Sequence, residues 1–115
     1  MVVDAGFKVH SALGPGLLES SYEHCLAYEL ESRGRSVKRQ VGLPIKYGQI
    51  KLDAAYRIDL LVDGSVIVEV KSVDGFSQIH QSQLLTYLKL SGCRLGFLMN
   101  FNVPSFKAGL RRLVF

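Results

Sequence analysis

The stretch YRIDLLVDGSVIVEVKSV, Tyr56 to Val73, constrains the fold more than any other part of the chain. Its two apolar runs meet at Asp63-Gly64, a pair that favours a tight hairpin, so strands over Tyr56–Val62 and Val66–Lys71 are expected to pair antiparallel. Three ionisable residues, Asp59, Glu69 and Lys71, interrupt those runs. Burying a charge without a partner costs on the order of several kcal/mol, so their presence needs a chemical reason.

Side chains two apart on a strand share a face. That alternation sets Asp59 with Arg57 and Leu61, and sets Tyr56, Ile58, Leu60 and Val62 on the opposite face. Glu69 and Lys71 share a face on the second strand, against Val66, Val68 and Val70. A turn at Asp63-Gly64 then brings Asp59 beside Glu69 and Lys71, on strands about 4.8 Å apart. Two carboxylates that close repel, and each raises the other's pKa unless a cation sits between them. A hard divalent ion such as Mg²⁺ answers that need, because it binds through one or two carboxylates plus waters and phosphate oxygens. A lysine beside it can orient or deprotonate an associated water, or stabilise charge on a phosphate. The same pattern also fits an internal ion pair in which Lys71 bridges both carboxylates with no ligand.

Around this hairpin the chain alternates helical and extended periods. Val2–Leu13 reads as an amphipathic helix with Val3, Phe7 and His10 on one stripe, ended by Gly14-Pro15-Gly16. A second helix is expected from about Leu17 to Ser32, with Leu18, Tyr22, Cys25, Leu26 and Leu30 at helical spacing and Gly34 as its stop. From Val37 the β-branched and aromatic content rises, with breaks at Gly42, Pro44, Gly48 and Asp63-Gly64, which predicts three or four antiparallel strands. FSQIHQSQLLTYLKLSG predicts a helix capped at Ser77 and stopped at Gly92. RLGFLMNF reads as a strand buried on both faces, and PSFKAGLRRLVF as a short helix or an edge strand. Helix, hairpin strands, helix and strand in that order imply an α/β domain with helices packed on a mixed sheet.

The 115 residues suit one domain over 1–115, and 48% apolar content supports a real core. No apolar run approaches the roughly 20 residues a bilayer demands, and the opening residues lack the features of a secretory leader. Cys25 and Cys93 stand far apart, as expected of reduced thiols in a cytoplasmic protein. His10, His24 and His80 show no metal-ligand spacing. The net charge of +4 is compatible with a polyanionic partner. Its densest sources are Arg33, Arg35, Lys38 and Arg39, then Lys107, Arg111 and Arg112. These fit either phosphate contacts or a solvated helix end and a guarded edge strand.

At this point the motifs carry a resemblance. IDLLVDGSVIVEVK resembles the core of the PD-(D/E)XK nuclease superfamily, with Asp59 on one strand and Glu69-Val70-Lys71 on the next. Gly16, Glu19 and Tyr22 within GLLESSY match the pattern that names the GxxExxY family, and IHQSQLLTYLKLSG and GFLMNFNVP are similar to it as well. Relatives usually begin the first helix a turn or two before Met1, a departure that touches no motif residue. The resemblance implies a restriction-endonuclease-like core with a sheet of about four strands flanked by helices. It implies hydrolysis of nucleic-acid phosphodiesters, DNA rather than RNA, with one or two Mg²⁺ or Mn²⁺ ions. Asp59, Glu69, the carbonyl of Val70 and Glu19 would hold the metal, while Lys71 positions the attacking water. Glu19 is equally explained by the favourable charge of a first helical turn. Gln83 and Tyr87, four apart with His80 near the same face, resemble a pair that flanks the active site in relatives of RecB; a half-buried tyrosine packed on the sheet explains them too. The resemblance also allows a homodimer. A module that keeps the fold and cuts nothing is the rival from another functional class.

Overall fold

The computed structural model describes residues 2–115. Strands β1 (Val37–Tyr47), β2 (Ile50–Val62), β3 (Val66–Lys71), β4 (Leu95–Asn100) and β5 (Leu110–Val114) lie side by side in that order. All neighbours are antiparallel except β3 and β4, which run parallel, so the sheet is mixed. Helices α1 (Val2–Leu13) and α2 (Glu19–Ser32) cover one face. Helix α3 (Gln78–Ser91) makes the crossover from β3 to β4 and covers the other. The expected mixed sheet gains a fifth strand because the final segment forms both candidate elements, a 3₁₀ turn over Phe106–Gly109 and then β5.

Each helix is placed by its apolar stripe. In α1 the buried residues are Val2, Ala5, Gly6, Val9 and His10, a stripe rotated from the one expected. Phe7 is 39% exposed and packs edge-on against Phe106 at 5.0 Å. The rotation follows from Gly6, where a Cβ would lie 2.7 Å from the Phe106 ring, so only a glycine lets the helix approach that closely. In α2 the buried stripe is Tyr22, Glu23, Leu26, Ala27 and Leu30. This helix starts at Glu19, leaving Leu17 and Leu18 outside it, and ends where Gly34 takes φ 82°. There Gly34 N–H donates to Glu31 and Arg35 N–H to Leu30, which satisfies the last carbonyls.

β4 is buried on both faces, as its continuous apolar run predicts. Phe97 and Met99 join the α1–α2 core while Leu98 joins the α3 core. The chain then turns at Asn100, which is 1% exposed and bonds Val73 through both its amide atoms. Phe101 N–H donates to the carbonyl of Lys71, so the end of β3 is fixed from its neighbour.

Gly109 is buried against this turn. An added Cβ would overlap the carbonyl oxygen of Asn100 and come within 3.0 Å of Val103 Cγ2. Gly109→Ala should therefore cost about 2 kcal/mol or more in chemical denaturation, through overpacking. Gly75→Ala meets nothing within 4 Å, and should stay within about 0.5 kcal/mol of the parent.

Candidate active site

The hairpin forms at the expected place, with Val62 opposite Val66. Asp63 and Gly64 take φ 53° and 67°, a left-handed pair that Asp and Gly tolerate. Asp63 is held further by Arg35 and by the backbone of Ser36. From the turn the β2–β3 ladder runs only to Leu60 opposite Val68. Beyond that pair, side chains replace backbone partners. Asp59 N–H donates to Glu69 Oε1 at 3.1 Å, and Val70 N–H donates to Asp59 Oδ2 at 2.9 Å. The two carboxylates thus clasp the opposing strands where the regular ladder stops.

The alternation of β2 breaks at the same residue. Ile58 and Leu61 pack in the α3 core, whereas Leu60 and Val62 pack in the α1–α2 core. The expectation that Ile58 shares a face with Leu60 and Val62 is therefore corrected. Strand β1 makes the matching switch: Val37 packs toward α1–α2, Val41 and Leu43 toward α3. Between them Gln40 has φ 54°, a left-handed conformation that costs a non-glycine residue about 1 kcal/mol or more. The register is unchanged across the switch, with Arg39 opposite Leu60 and Val41 opposite Ile58. Gln40 and Asp59 consequently face each other, and Gln40 Nε2 approaches Asp59 Oδ1 at 3.4 Å.

Glu23 anchors this joint from α2. It is 6% exposed, accepts Gln40 Nε2 at 2.7 Å and takes Nε and Nη2 of Arg39 at 3.1 and 2.8 Å. Sequence reasoning missed Glu23 and Gln40 as site residues. Glu23 does carry a signal, an acid in the buried phase of an amphipathic helix, while Gln40 carries none. Arg39 is committed to Glu23, Arg33 to Glu29 and Arg35 to Asp63. The three arginines of the densest basic stretch thus serve the helix end and the edge strand.

The remaining expected residues take distinct positions. Glu19 is exposed at the start of α2, and its Oε1 accepts Ser72 N–H at 3.3 Å, one residue past Lys71. Tyr22 is fully buried and stacks on Phe101 at 4.6 Å; its hydroxyl donates to the carbonyl of Gly14 and accepts Leu17 N–H. It fixes the loop before Glu19 without reaching the carboxylates. Ser72 Oγ then donates to Leu17 O at 2.7 Å, tying that loop to the end of β3. Tyr87 is 7% exposed on α3, and its pKa is raised by burial and by the charges of Glu69 and Asp59. Gln83 and Tyr87 line a 210 Å³ cleft with Tyr56, Ile79, Ser82 and Thr86. A 420 Å³ cleft lies at the opposite ends of β3 and β4, around Val66, Cys93, Arg94 and Leu95, and contains none of these carboxylates.

Electrostatically the pair is uncompensated. Burial first, then the charge of Asp59, pushes Glu69 up to about 8; burial likewise raises Asp59. Lys71 lowers both from a distance, but among the described residues it forms no ion pair with either. The internal ion-pair arrangement is therefore not the one present. Among the described residues no three His, Cys, Asp or Glu side chains converge as a complete cage. The donors that do meet are hard oxygens, the buried Glu69 and the half-buried Asp59 with Glu19 at the rim. That set fits a cation of the Mg²⁺ type, which uses few protein carboxylates and keeps open positions for water and phosphate.

Glu69 is protonated in the fold up to about pH 8 and ionised in the unfolded chain above about 4.5, so its stabilising contribution falls as pH rises between those values. The metal-free protein should lose melting temperature steadily over that window, and Glu69→Gln should flatten the dependence. At Gln40, a β-branched side chain is incompatible with φ 54°; Gln40→Val should cost about 2 kcal/mol, while Gln40→Gly relieves the strain and offsets the lost amide bonds to within about 1 kcal/mol.

Searches of curated proteins and of solved structures return no match. One family model does match, and it spans residues 1–113, which include both hairpin strands, all three helices and the strand beyond them. That model is of the PD-(D/E)XK nuclease superfamily, and the chain belongs to it.

Proposed function

We propose that the chain is a divalent-metal-dependent nuclease of the GxxExxY group that hydrolyses phosphodiester bonds in DNA. The observation that carries this reading is the Asp59–Glu69 clasp: a buried and a half-buried carboxylate share one site, and among the described residues no cation is ion-paired to them. Leaving such a pair uncompensated is costly, and a metal ion resolves it.

In this reading Asp59, Glu69 and the backbone carbonyl of Val70 hold the ion, with Glu19 reaching it from the rim. A divalent ion bound there supplies the positive charge that offsets the phosphate and the leaving oxygen. Lys71, next to Val70 on the same strand, holds the attacking water and a phosphate oxygen. Glu23 and Gln40 set the orientation of Asp59 from α2 and β1. The cleft of Tyr56, Gln83 and Tyr87 receives the nucleotide beside the bond being cut. The absence of a complete three-ligand cage among the described residues favours the rival, a binding module that cuts nothing. The same observation is expected of an ion that takes its remaining ligands from water and substrate.

Calorimetric titration of Mg²⁺ and Mn²⁺ separates the two. Saturable binding in the wild type, lost in Asp59→Ala and Glu69→Ala, is the expected result. Lys71→Met should keep ion binding yet lower DNA cleavage by about 100-fold or more. No ion binding to the wild type, even with an oligonucleotide present to supply phosphate, would sink the nuclease mechanism.

A further inference from the structure

Past the Gln40–Asp59 joint, β1 and β2 continue as a two-stranded ribbon that runs to the turn at Gly48. From Gly42 to Arg57 only Leu43 is buried, and Ile45 is half-buried. The base of the ribbon is anchored by Leu43 in the α3 core and by Tyr56 against Tyr87, 5.8 Å between ring centres. Farther out the register shifts between Leu43 and Ile45, where Pro44 has no N–H to offer and Ala54 takes φ 50°. Ala54 folds over Gly42, where a Cβ would stand 3.0 Å from its own. Such a bulge re-aims the outer part of a ribbon.

The ribbon carries Lys46 and Lys51 on its outer part and Arg57 at its base, against a single acid, Asp53. Lys46 lies directly opposite Lys51, a like-charge pairing that destabilises an isolated hairpin. Lys51 meets Asp53 at 3.6 Å, while among the described residues Lys46 and Arg57 have no ion-pair partner. Tyr47, Ile50 and Leu52 are 79%, 60% and 53% exposed around the lysines. The other basic clusters are engaged in part: Arg33, Arg35 and Arg39 pair with acids and Arg111 sits over the Phe76 ring, while among the described residues Lys38, Lys107 and Arg112 have no ion-pair partner.

We infer that this ribbon is a docking element for double-stranded DNA, lying in the major groove with Lys46 and Lys51 on its phosphates. This rests on the nuclease reading above. A second copy of the chain is a poor occupant, because it would bring the same lysines against these. The major groove of B-form DNA, about 12 Å wide, admits a two-stranded ribbon, whereas the major groove of duplex RNA is too narrow. Along β1, from Gln40 opposite Asp59 to Lys46 opposite Lys51, the ribbon spans roughly 20 Å, so the lysines grip the duplex about half a helical turn from a phosphate at Asp59.

Fluorescence anisotropy with a duplex DNA of about 20 base pairs, in EDTA across a salt series, tests this on the full chain. Lys46→Glu/Lys51→Glu should weaken binding at least about tenfold and reduce the slope of log K against log salt by about two, one for each lost phosphate contact. Its melting temperature and its Mn²⁺ titration should match the wild type, and duplex RNA should bind both proteins weakly and alike. An unchanged salt slope in the double variant, with the wild type binding DNA, would overturn the ribbon assignment alone. Equal losses on DNA and RNA would overturn the groove assignment, and a wild-type dimer dissociated by the substitutions would make the ribbon a protein interface. A wild type that binds no duplex at low salt would overturn both this inference and the nuclease reading.

Discussion

The structure depends on a clasp between two carboxylates and two backbone amides. Asp59 and Glu69 each accept from the other's strand, Glu69 from Asp59 N–H and Asp59 from Val70 N–H, just where β2 and β3 cease to pair as a ladder. Without these bonds two buried amides would lack partners, at about 1 to 3 kcal/mol each. The carboxylates therefore close a sheet that would otherwise split. In doing so Glu69 becomes buried and Asp59 half-buried, and burial raises both of their pKa values. The oxygens that close the sheet are the same ones that the proposed metal site needs.

The rest of the fold supports that joint from three directions. From α2, Glu23 fixes Gln40 and Arg39, and Gln40 faces Asp59. From the loop ahead of α2, Tyr22 holds Gly14 and Leu17, and Leu17 and Glu19 in turn hold Ser72 beyond Lys71. From β4, Asn100 and Phe101 pin Val73 and Lys71. Tyr22 thus supports the joint without touching it. Its role is to set where Glu19 begins the helix and where β3 ends.

Much of this was legible in the sequence. The hairpin at Asp63-Gly64, the helix stops at Gly34 and Gly92 and the doubly buried β4 follow from period and turn chemistry. The meeting of Asp59 and Glu69 follows from counting outward from the turn. Counting failed where the backbone departs from alternation. The paired switch at Gln40 and Asp59 rests on one left-handed glutamine, a conformation no sequence pattern announces. The phase of α1 was misread because Gly6, not Phe7, faces the core, a choice made by the Phe106 ring a hundred residues away. The basic stretch after α2 fits both phosphate contacts and a guarded edge strand in sequence alone, because the acid partners of Arg39 and Arg35, Glu23 and Asp63, come from other elements. Tertiary partners of charge are the part of a site that spacing conveys least.

The central claim is that Asp59 and Glu69 form a divalent-ion site and not an ion pair with Lys71. Anomalous scattering from crystals soaked in Mn²⁺ tests it most directly. The account predicts one strong peak in contact with both carboxylates and the carbonyl of Val70, with the Lys71 ammonium outside the coordination sphere. No peak, with that ammonium folded between the two carboxylates, would contradict it.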